Sequence, residues 1–195
     1  VDRMLDMGFV HDVTTILNAV GGQDRQSFFF SATMDARVRT LIETFTTDPL
    51  TVSIKASSAS SNVHQDVVHY ATSTDRLDKL HDLLIQKDVA KAIIFDETQR
   101  GVERLNKELV ARGFPAESIH GGKTQGQRQR ALAKFKQNEV TILVATDVAA
   151  RGIDVADITH VVNYSVPKMY DDYIHRIGRT GRAGRVGYAL TFIAR

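Results

Sequence analysis

The sequence contains no cysteine, and no apolar run in its 195 residues is long. The lack of cysteine excludes disulfide bonds, thiolate metal sites and cysteine nucleophiles, and it fits a cytoplasmic protein. No apolar stretch approaches the roughly 18 residues of a membrane-spanning helix, and the first residues lack the basic start and apolar core of a signal peptide. With 43% hydrophobic and 25% charged residues, the composition is that of a globular protein with no membrane partner.

Acidic side chains are missing from two basic stretches. The formal net charge is only +2, but residues 1–62 carry 5 basic and 7 acidic side chains, whereas residues 63–195 carry 20 and 16. Residues 120–136 and residues 173–195 each contain five Lys or Arg and no Asp or Glu. A solvated helix face explains one such run. Two runs beside glycine-rich turns favour a polyanionic partner.

Arginine and glycine recur every third residue in the segment HRIGRTGRAG, residues 175–184. Guanidinium groups match phosphate oxygens, and glycines let a backbone approach a ligand closely. A basic helix face is an alternative, but each of the three glycines would cost about 1 kcal/mol in a helix interior. A disordered tail is the other alternative, and the strand-like segment GYALTFI that follows argues against it. The segment therefore predicts an anion site.

The serine-rich segment KASSASSN, residues 55–62, marks a boundary in the chain. We interpret residues 56–62 as a flexible linker and residues 1–55 as the remnant of a preceding domain. Within the remnant, the pattern predicts helices near residues 11–20 and 35–45, a buried strand at 26–31 and another strand at 50–54. We expect the first strand to pack on a second copy of the chain, by non-native self-association through residues 1–55, or on the edge of the downstream sheet.

Strand and helix signals alternate through residues 63–195. Apolar runs predict strands at 66–71, 91–95, 116–119, 140–145, 158–163 and 187–193. Between them, leucine and valine stripes at 77, 80 and 84 and at 102, 105 and 109 predict core-facing helices. This alternation predicts an α/β domain with a mostly parallel sheet and helices on both faces.

Polar loops follow the predicted strands at their carboxyl ends, where parallel sheets bind ligands. Gln125, Arg128 and Thr146 are placed to hold a sugar-phosphate chain by its phosphates, which gives affinity without reading bases. Asp154 is either a salt-bridge partner or an acceptor for a ribose hydroxyl. A metal site at Asp147 and Asp154 is not expected, because no further oxygen ligands follow at a recognisable spacing. The two histidines of these loops, His120 and His175, lack a matching nucleophile and are expected to be hydrogen-bonding structural residues.

Three segments together resemble signature motifs of the DEAD-box RNA helicases. They are Ser31-Ala-Thr33, the segment ATDVAARGID at residues 145–154, and HRIGRTGR at residues 175–182. The resemblance runs the whole length of the chain. Val1-Asp2 would be the last two positions of the family's Asp-Glu-Ala-Asp box, with Val where the family usually has Ala.

The resemblance implies a fold and a set of roles. Such helicases have two RecA-like domains that close on ATP and single-stranded RNA, and this chain resembles the second domain, a three-layer α/β/α domain, preceded by the tail of the first. By resemblance, Arg182 would be the arginine finger, Arg179 its neighbour at the phosphates, and Asp154 a ribose ligand of ATP. The implied RNA contacts are Thr98, Gly122, Gln125, Arg128 and Thr146. The implied residues of interdomain coupling are Asp2, Ser31, Thr33 and His175.

The phosphate-loop pattern G-x-x-x-x-G-K-[ST] is absent from this sequence. ATP with Mg²⁺ would therefore be held mainly by the first domain, with no metal ligand in this chain, and we expect the chain alone not to hydrolyse ATP. Two other functions remain open at this stage: a non-catalytic, sequence-nonspecific RNA-binding or adaptor module, and a DNA-directed helicase of the same superfamily.

Overall fold

The computed structural model divides the chain into two compact units, residues 1–54 and 55–195. It describes residues 1, 4–5, 8–20, 25–31, 34, 36–53, 62–150, 153–155 and 157–195. The predicted linker lies largely outside these described residues. That residues 1–55 are the remnant of a preceding domain therefore stays a prediction.

The described residues of the first unit include two helices, α1 (Val10–Ala19) and α2 (Ala36–Phe45), where helices were predicted. Its small core contains Leu5, Val38 and Leu41. Arg25 ties the helices together, because its guanidinium donates to the carbonyl oxygens of Leu17 at 2.7 Å and Phe45 at 3.3 Å.

The predicted strand at residues 26–31 is wrong. The residues form no strand or helix, and the side chains of Phe28 and Phe30 are 71% and 81% exposed. Of the three phenylalanines, only Phe29 packs against the small core. The described part of the second predicted strand, residues 50–53, is also not a strand, and Leu50 is 91% exposed. An apolar run forms a strand only when a neighbour pairs its backbone groups. Self-association through residues 1–55 stays untested.

In the second unit, the described residues form a six-stranded parallel sheet with the order β1-β6-β5-β2-β4-β3. All six strands occur where strands were predicted. They are β1 (Val63–Tyr70), β2 (Ala92–Phe95), β3 (Ala116–Ile119), β4 (Ile142–Ala145), β5 (His160–Asn163) and β6 (Gly187–Ala194). The helices between them are α3 (Ser73–Leu84), α4 (Gln99–Ala111), α5 (Gln125–Lys136), α6 (Asp147–Ala150) and α7 (Tyr170–Ile177).

Side chains of the central strands alternate between two cores, one on each face of the sheet. In β2, Ile93 and Phe95 enter the core that includes residues of α5, α6 and α7, whereas Ala92 and Ile94 enter the core that includes residues of α3 and α4. The predicted stripes on α3 and α4 lie in the second core, with Leu77 at its margin. The prediction of helices on both faces is therefore confirmed.

Threonine caps start three of these helices directly after the loops at the sheet's carboxyl edge. The hydroxyls of Thr72, Thr98 and Thr124 accept hydrogen bonds from backbone amides in the first turns of α3, α4 and α5. Thr124 forms a full capping box with Gln127. These caps determine where the loop residues meet the helices. No helix formed by the described residues is long and apolar enough to cross a membrane.

Candidate nucleotide and nucleic-acid site

Arg176, the first arginine of the repeated segment, is buried. Its side chain is 2% exposed and donates to both carboxylate oxygens of Asp147, at 2.6 and 2.7 Å. The same guanidinium donates to Asn163 Oδ1 at 3.3 Å and to the Ser165 carbonyl at 2.6 Å, and it lies 5.1 Å from the Phe95 ring centroid. Arg176 therefore joins the ends of β4 and β5 to α7. The three arginines are equivalent in the sequence repeat, but Arg176 stabilises the fold.

Arg179 is half-buried and held by backbone oxygens. Its Nε donates to the His175 carbonyl at 3.2 Å and its Nη1 to the Ile153 carbonyl at 2.9 Å. Burial lowers the pKa of Arg179, the charge of Arg182 lowers it further, and Asp154 opposes the shift. The two guanidinium groups therefore act on each other electrostatically, and they create a concentrated positive charge.

Arg182 is exposed and paired with Asp154, the carboxylate for which the sequence allowed two interpretations. Its Nη1 lies 3.1 Å from Asp154 Oδ1, with the side chains 40% and 94% exposed, and its Nε donates to the Gly178 carbonyl at 2.8 Å. Asp154 is thus a salt-bridge partner in this structure. Because such exposed pairs are weak, a ligand can replace either partner at little cost.

Two glycines, Gly181 of the repeated segment and Gly187 just after it, allow close packing within the second unit. Gly181 has φ of +69°, and a Cβ there would lie 2.6 Å from Val63 Cγ2. A Cβ on Gly187 would meet the Thr180 side chain. The Thr180 hydroxyl in turn donates to the carbonyls of Ile158 and Thr159, at 2.5 and 3.1 Å. The prediction that these glycines admit a ligand is therefore corrected at Gly181, where the close neighbour is β1.

His175 lines a small cavity whose walls also include Phe95, Asp147, Ala150, Asp172, Arg176 and Arg179. Its Nδ1 is buried and finds no hydrogen-bond partner among the described residues. The predicted hydrogen bonding of this histidine is thus missing at Nδ1. The other residues predicted for interdomain coupling lie in the first unit. Ser31 is half-buried, and Asp2 and Thr33 lie outside the described residues.

The predicted nucleic-acid contacts follow three neighbouring strands. Phe95, Ala145 and Ile119, the last residues of β2, β4 and β3, are in register. Thr146 and the turn containing Gly122 therefore begin side by side, and Thr98 follows three residues after β2. Thr146 is buried, Thr98 is exposed, and Thr98 Oγ1 accepts from Gly101 N at 2.9 Å. Gln125 is exposed and Arg128 half-buried, both in the first turn of α5.

Glu103 on α4 has no motif around it, and sequence reasoning missed it. Its Oε1 lies 2.8 Å from Ser118 Oγ, 2.8 Å from His120 Nε2 and 3.0 Å from Lys123 Nζ. Burial raises the pKa of this carboxyl, but hydrogen bonds from the three neighbours outweigh burial and lower the pKa to about 2. His120 is confirmed as a hydrogen-bonding residue. Among the described residues, no three His, Asp or Glu side chains form a group that could hold a metal ion.

Comparison with protein families and known sequences agrees with this geometry. The family model of the helicase conserved C-terminal domain matches residues 75–184, more than half of the chain. The DEAD-box ATP-dependent RNA helicase CshA of Bacillus licheniformis is 46% identical over 195 residues, which are 98% of this chain and 39% of the relative. CshA of Bacillus subtilis is 45% identical over 193 residues, 98% of this chain and 39% of the relative. The chain thus spans about two fifths of the length of these relatives.

Solved structures show the same fold. The structure of Saccharomyces cerevisiae Dbp5 bound to RNA and ADP BeF3 matches with a TM-score of 0.84 and 30% identity, over 100% of this chain and 51% of that chain. Escherichia coli DEAD-box protein SrmB, bound to regulator of ribonuclease activity A, matches with a TM-score of 0.65 and 37% identity, over 68% of this chain and 78% of that chain. The predicted RecA-like α/β/α fold is confirmed. The chain belongs to the DEAD-box helicase family and carries that family's conserved C-terminal helicase domain.

Proposed function

We propose that this chain is part of an ATP-dependent RNA helicase that couples ATP binding and hydrolysis to local unwinding of an RNA duplex. One observation supports this most strongly: Arg182 is exposed and paired only weakly to Asp154, beside the half-buried Arg179. Such a cationic side chain at the surface suits the recognition of a nucleotide supplied by another domain. A backbone oxygen holds its guanidinium, and a ligand can replace its carboxylate partner.

In the proposed site, Arg182 is the arginine finger, Arg179 lies at the phosphates, and Asp154 accepts from the ribose. The exposed carboxylate of Asp154 and the guanidinium of Arg182 have the donors and acceptors that ATP requires. ATP with Mg²⁺ supplies the phosphoryl group, and this chain supplies positive charge that stabilises the transferred group. In known fingers such charge contributes at least about a thousandfold in rate. Ser31, Thr33, His175 and Asp2 would couple the nucleotide state to domain closure.

RNA would bind along the carboxyl edge of the sheet. The ends of β2, β4 and β3 bring Thr98, Thr146 and Gly122 to one edge, and α5 begins there with Gln125 and Arg128. Helix α5 has no acidic residue in its first turn, so its positive dipole end faces no competing charge of its own. Contacts of this kind bind the sugar-phosphate backbone and are independent of base sequence. We place this activity in the cytoplasm, and we expect the chain alone to be inactive because it lacks a phosphate loop.

The test is ATP hydrolysis, with and without single-stranded RNA, by the longer protein that includes the upstream domain. We expect RNA-stimulated hydrolysis to fall about a thousandfold in Arg182→Lys, because lysine cannot reproduce the planar fork of donors. The matched control is Arg185→Lys. Arg185 directly follows the repeated segment and is also paired with an exposed aspartate, Asp157, so this variant is expected to hydrolyse ATP as the native protein does.

The outcomes separate three functions. RNA-stimulated turnover that is lost in Arg182→Lys, with RNA binding retained, supports the helicase. If native and variant proteins are both inactive but bind RNA, the chain is a non-catalytic RNA-binding or adaptor module. Stimulation by DNA and not by RNA would indicate a DNA-directed helicase. Turnover by residues 1–195 alone, at the rate of the longer protein, would contradict the proposed division of labour.

A further inference from the structure

Three donors converge on one oxygen of Glu103 from the segment that leads into α5. Two of them, Ser118 and His120, are 0% and 7% exposed, so their polar atoms depend on this carboxylate instead of on water. The third donor is Lys123, which precedes the helix cap Thr124. Glu103 therefore holds the end of β3 and the start of the following turn at once.

The backbone identifies which tautomer of His120 this arrangement requires. The amide of Gly122 donates to His120 Nδ1 at 3.1 Å, so Nδ1 is an unprotonated acceptor. The ring proton is then on Nε2, which donates to Glu103 at 2.8 Å. The carboxylate on α4 thus selects the tautomer that binds the turn.

The turn is held again at its end. Lys123 N donates to the His120 carbonyl at 3.1 Å, and Thr124 begins α5 through its capping box with Gln127. Only one residue separates Lys123 from Gln125. A displacement of the turn would therefore displace both Gln125 and Arg128, which lies three residues further along the same helix face.

We propose that Glu103 is a positioning residue for RNA binding: through His120 and Lys123 it holds the turn 120–123 so that Gln125 and Arg128 meet the sugar-phosphate backbone. This inference rests on the proposed function of those two residues. Glu103 itself does not touch RNA.

Glu117 offers a matched control. It lies on β3 and its Oε1 is 2.6 Å from Nζ of Lys134, near the far end of the same helix α5. Replacing either glutamate by alanine removes one negative charge and one ion pair to this part of the chain. Loss of the negative charge should therefore raise RNA affinity equally in both variants. A difference in affinity between them would show that Glu103 also positions the RNA-binding residues.

The experiment measures the affinity of the longer protein, with its upstream domain and a non-hydrolysable ATP analogue, for a fluorescent single-stranded oligouridylate. We expect Glu103→Ala to bind about tenfold more weakly than Glu117→Ala, the size of one lost charge-assisted hydrogen bond. Glu103→Gln keeps an acceptor for Ser118 and His120, and should restore most of the affinity. Without RNA, exchange of the Gly122 amide should be faster in Glu103→Ala and unchanged in Glu117→Ala.

If Glu103→Ala does not fold, His120→Leu replaces it, because it removes the acceptor for Gly122 and leaves Glu103 with Ser118 and Lys123. Equal RNA affinity of Glu103→Ala and Glu117→Ala, while Arg128→Ala binds weakly, would overturn the positioning role and leave the proposed function standing. Native affinity in both Gln125→Ala and Arg128→Ala would instead overturn the assignment of RNA contacts on which the inference rests.

Discussion

Two arginine–aspartate pairs in the second unit have the same chemistry and opposite surroundings. Arg176 and Asp147 form a bidentate pair with the side chains 2% and 25% exposed. Arg182 and Asp154 make one contact of 3.1 Å with the side chains 40% and 94% exposed. The first pair is part of the packed sheet edge, and the second lies in water.

Burial decides what each pair can do. A buried charge depends on its partner, because water cannot replace the lost interactions, and such a pair gives the fold its geometry. An exposed pair contributes little to stability, so both partners remain available to a ligand. Within one repeated segment, two arginines six residues apart therefore have different roles. Arg176 stabilises the structure, and Arg182 remains available to a ligand.

The largest effect on stability is expected at the buried pair. Arg176→Met leaves Asp147 without its partner and removes the donors to Asn163 and Ser165. Breaking a buried pair in this way costs about 3–5 kcal/mol. Urea unfolding, followed by circular dichroism, measures the loss. The double variant Arg176→Met/Asp147→Leu should recover a part of it, because no unpaired charge remains. A loss below about 1 kcal/mol in the single variant would show that the pair is not structural.

Gly181→Ala should have a smaller effect, and Gly184→Ala provides its control. Both glycines have positive φ, +69° and +75°, so both substitutions cost about 1 kcal/mol in backbone conformation. Only at Gly181 does the added Cβ also meet a neighbour, Val63 Cγ2 at 2.6 Å, whereas at Gly184 nothing lies within 4 Å. The unfolding midpoint should fall further in Gly181→Ala. Equal midpoints would mean that the turn is not packed on β1.

The exposure of Glu103 is intermediate between the exposures of the two pairs. Its side chain is 36% exposed, but three donors surround its carboxylate. Its pKa is lowered from 4.5 to about 2, so the folded state favours the ionised form. The stabilisation is fully present above pH 4.5 and is lost as the pH falls toward 2. Thermal unfolding of native protein and Glu103→Gln should therefore differ at pH 6 and converge near pH 2. A difference that does not change over this range would contradict the lowered pKa.

The sheet was predictable because its signal is local and strong. Strands such as β2, with Ile93, Ile94 and Phe95 buried on both faces, read as short apolar runs. The run at Phe28 to Phe30 carries the same signal but is not a strand. A run of apolar residues shows that a segment can be buried between neighbours, and the neighbours have to come from elsewhere in the fold.

The site was predictable in its positions and not in its partners. Arg179 and Arg182 stand out by their repeat, but nothing in that repeat shows that Arg176 turns inward. Its partner Asp147 is 29 residues away, and only the parallel sheet brings the two together. Glu103 was missed for the same reason, since Ser118, His120 and Lys123 are distant in sequence. Sequence spacing indicates which residues share a face of one helix or strand, whereas hydrogen-bond partners depend on packing between elements.

The smallest effect on stability is expected at the exposed pair. Asp154→Ala and Arg182→Ala each leave a partner that water can solvate, and Arg182 keeps its bond to the Gly178 carbonyl in the first variant. We expect the midpoint of thermal unfolding to move by less than about 1 °C in either variant. In the longer protein, the same substitutions should abolish RNA-stimulated ATP hydrolysis. A large loss of stability at Asp154 would place this pair with Arg176 and Asp147, and the distinction between a structural and a ligand-exchangeable arginine would fail.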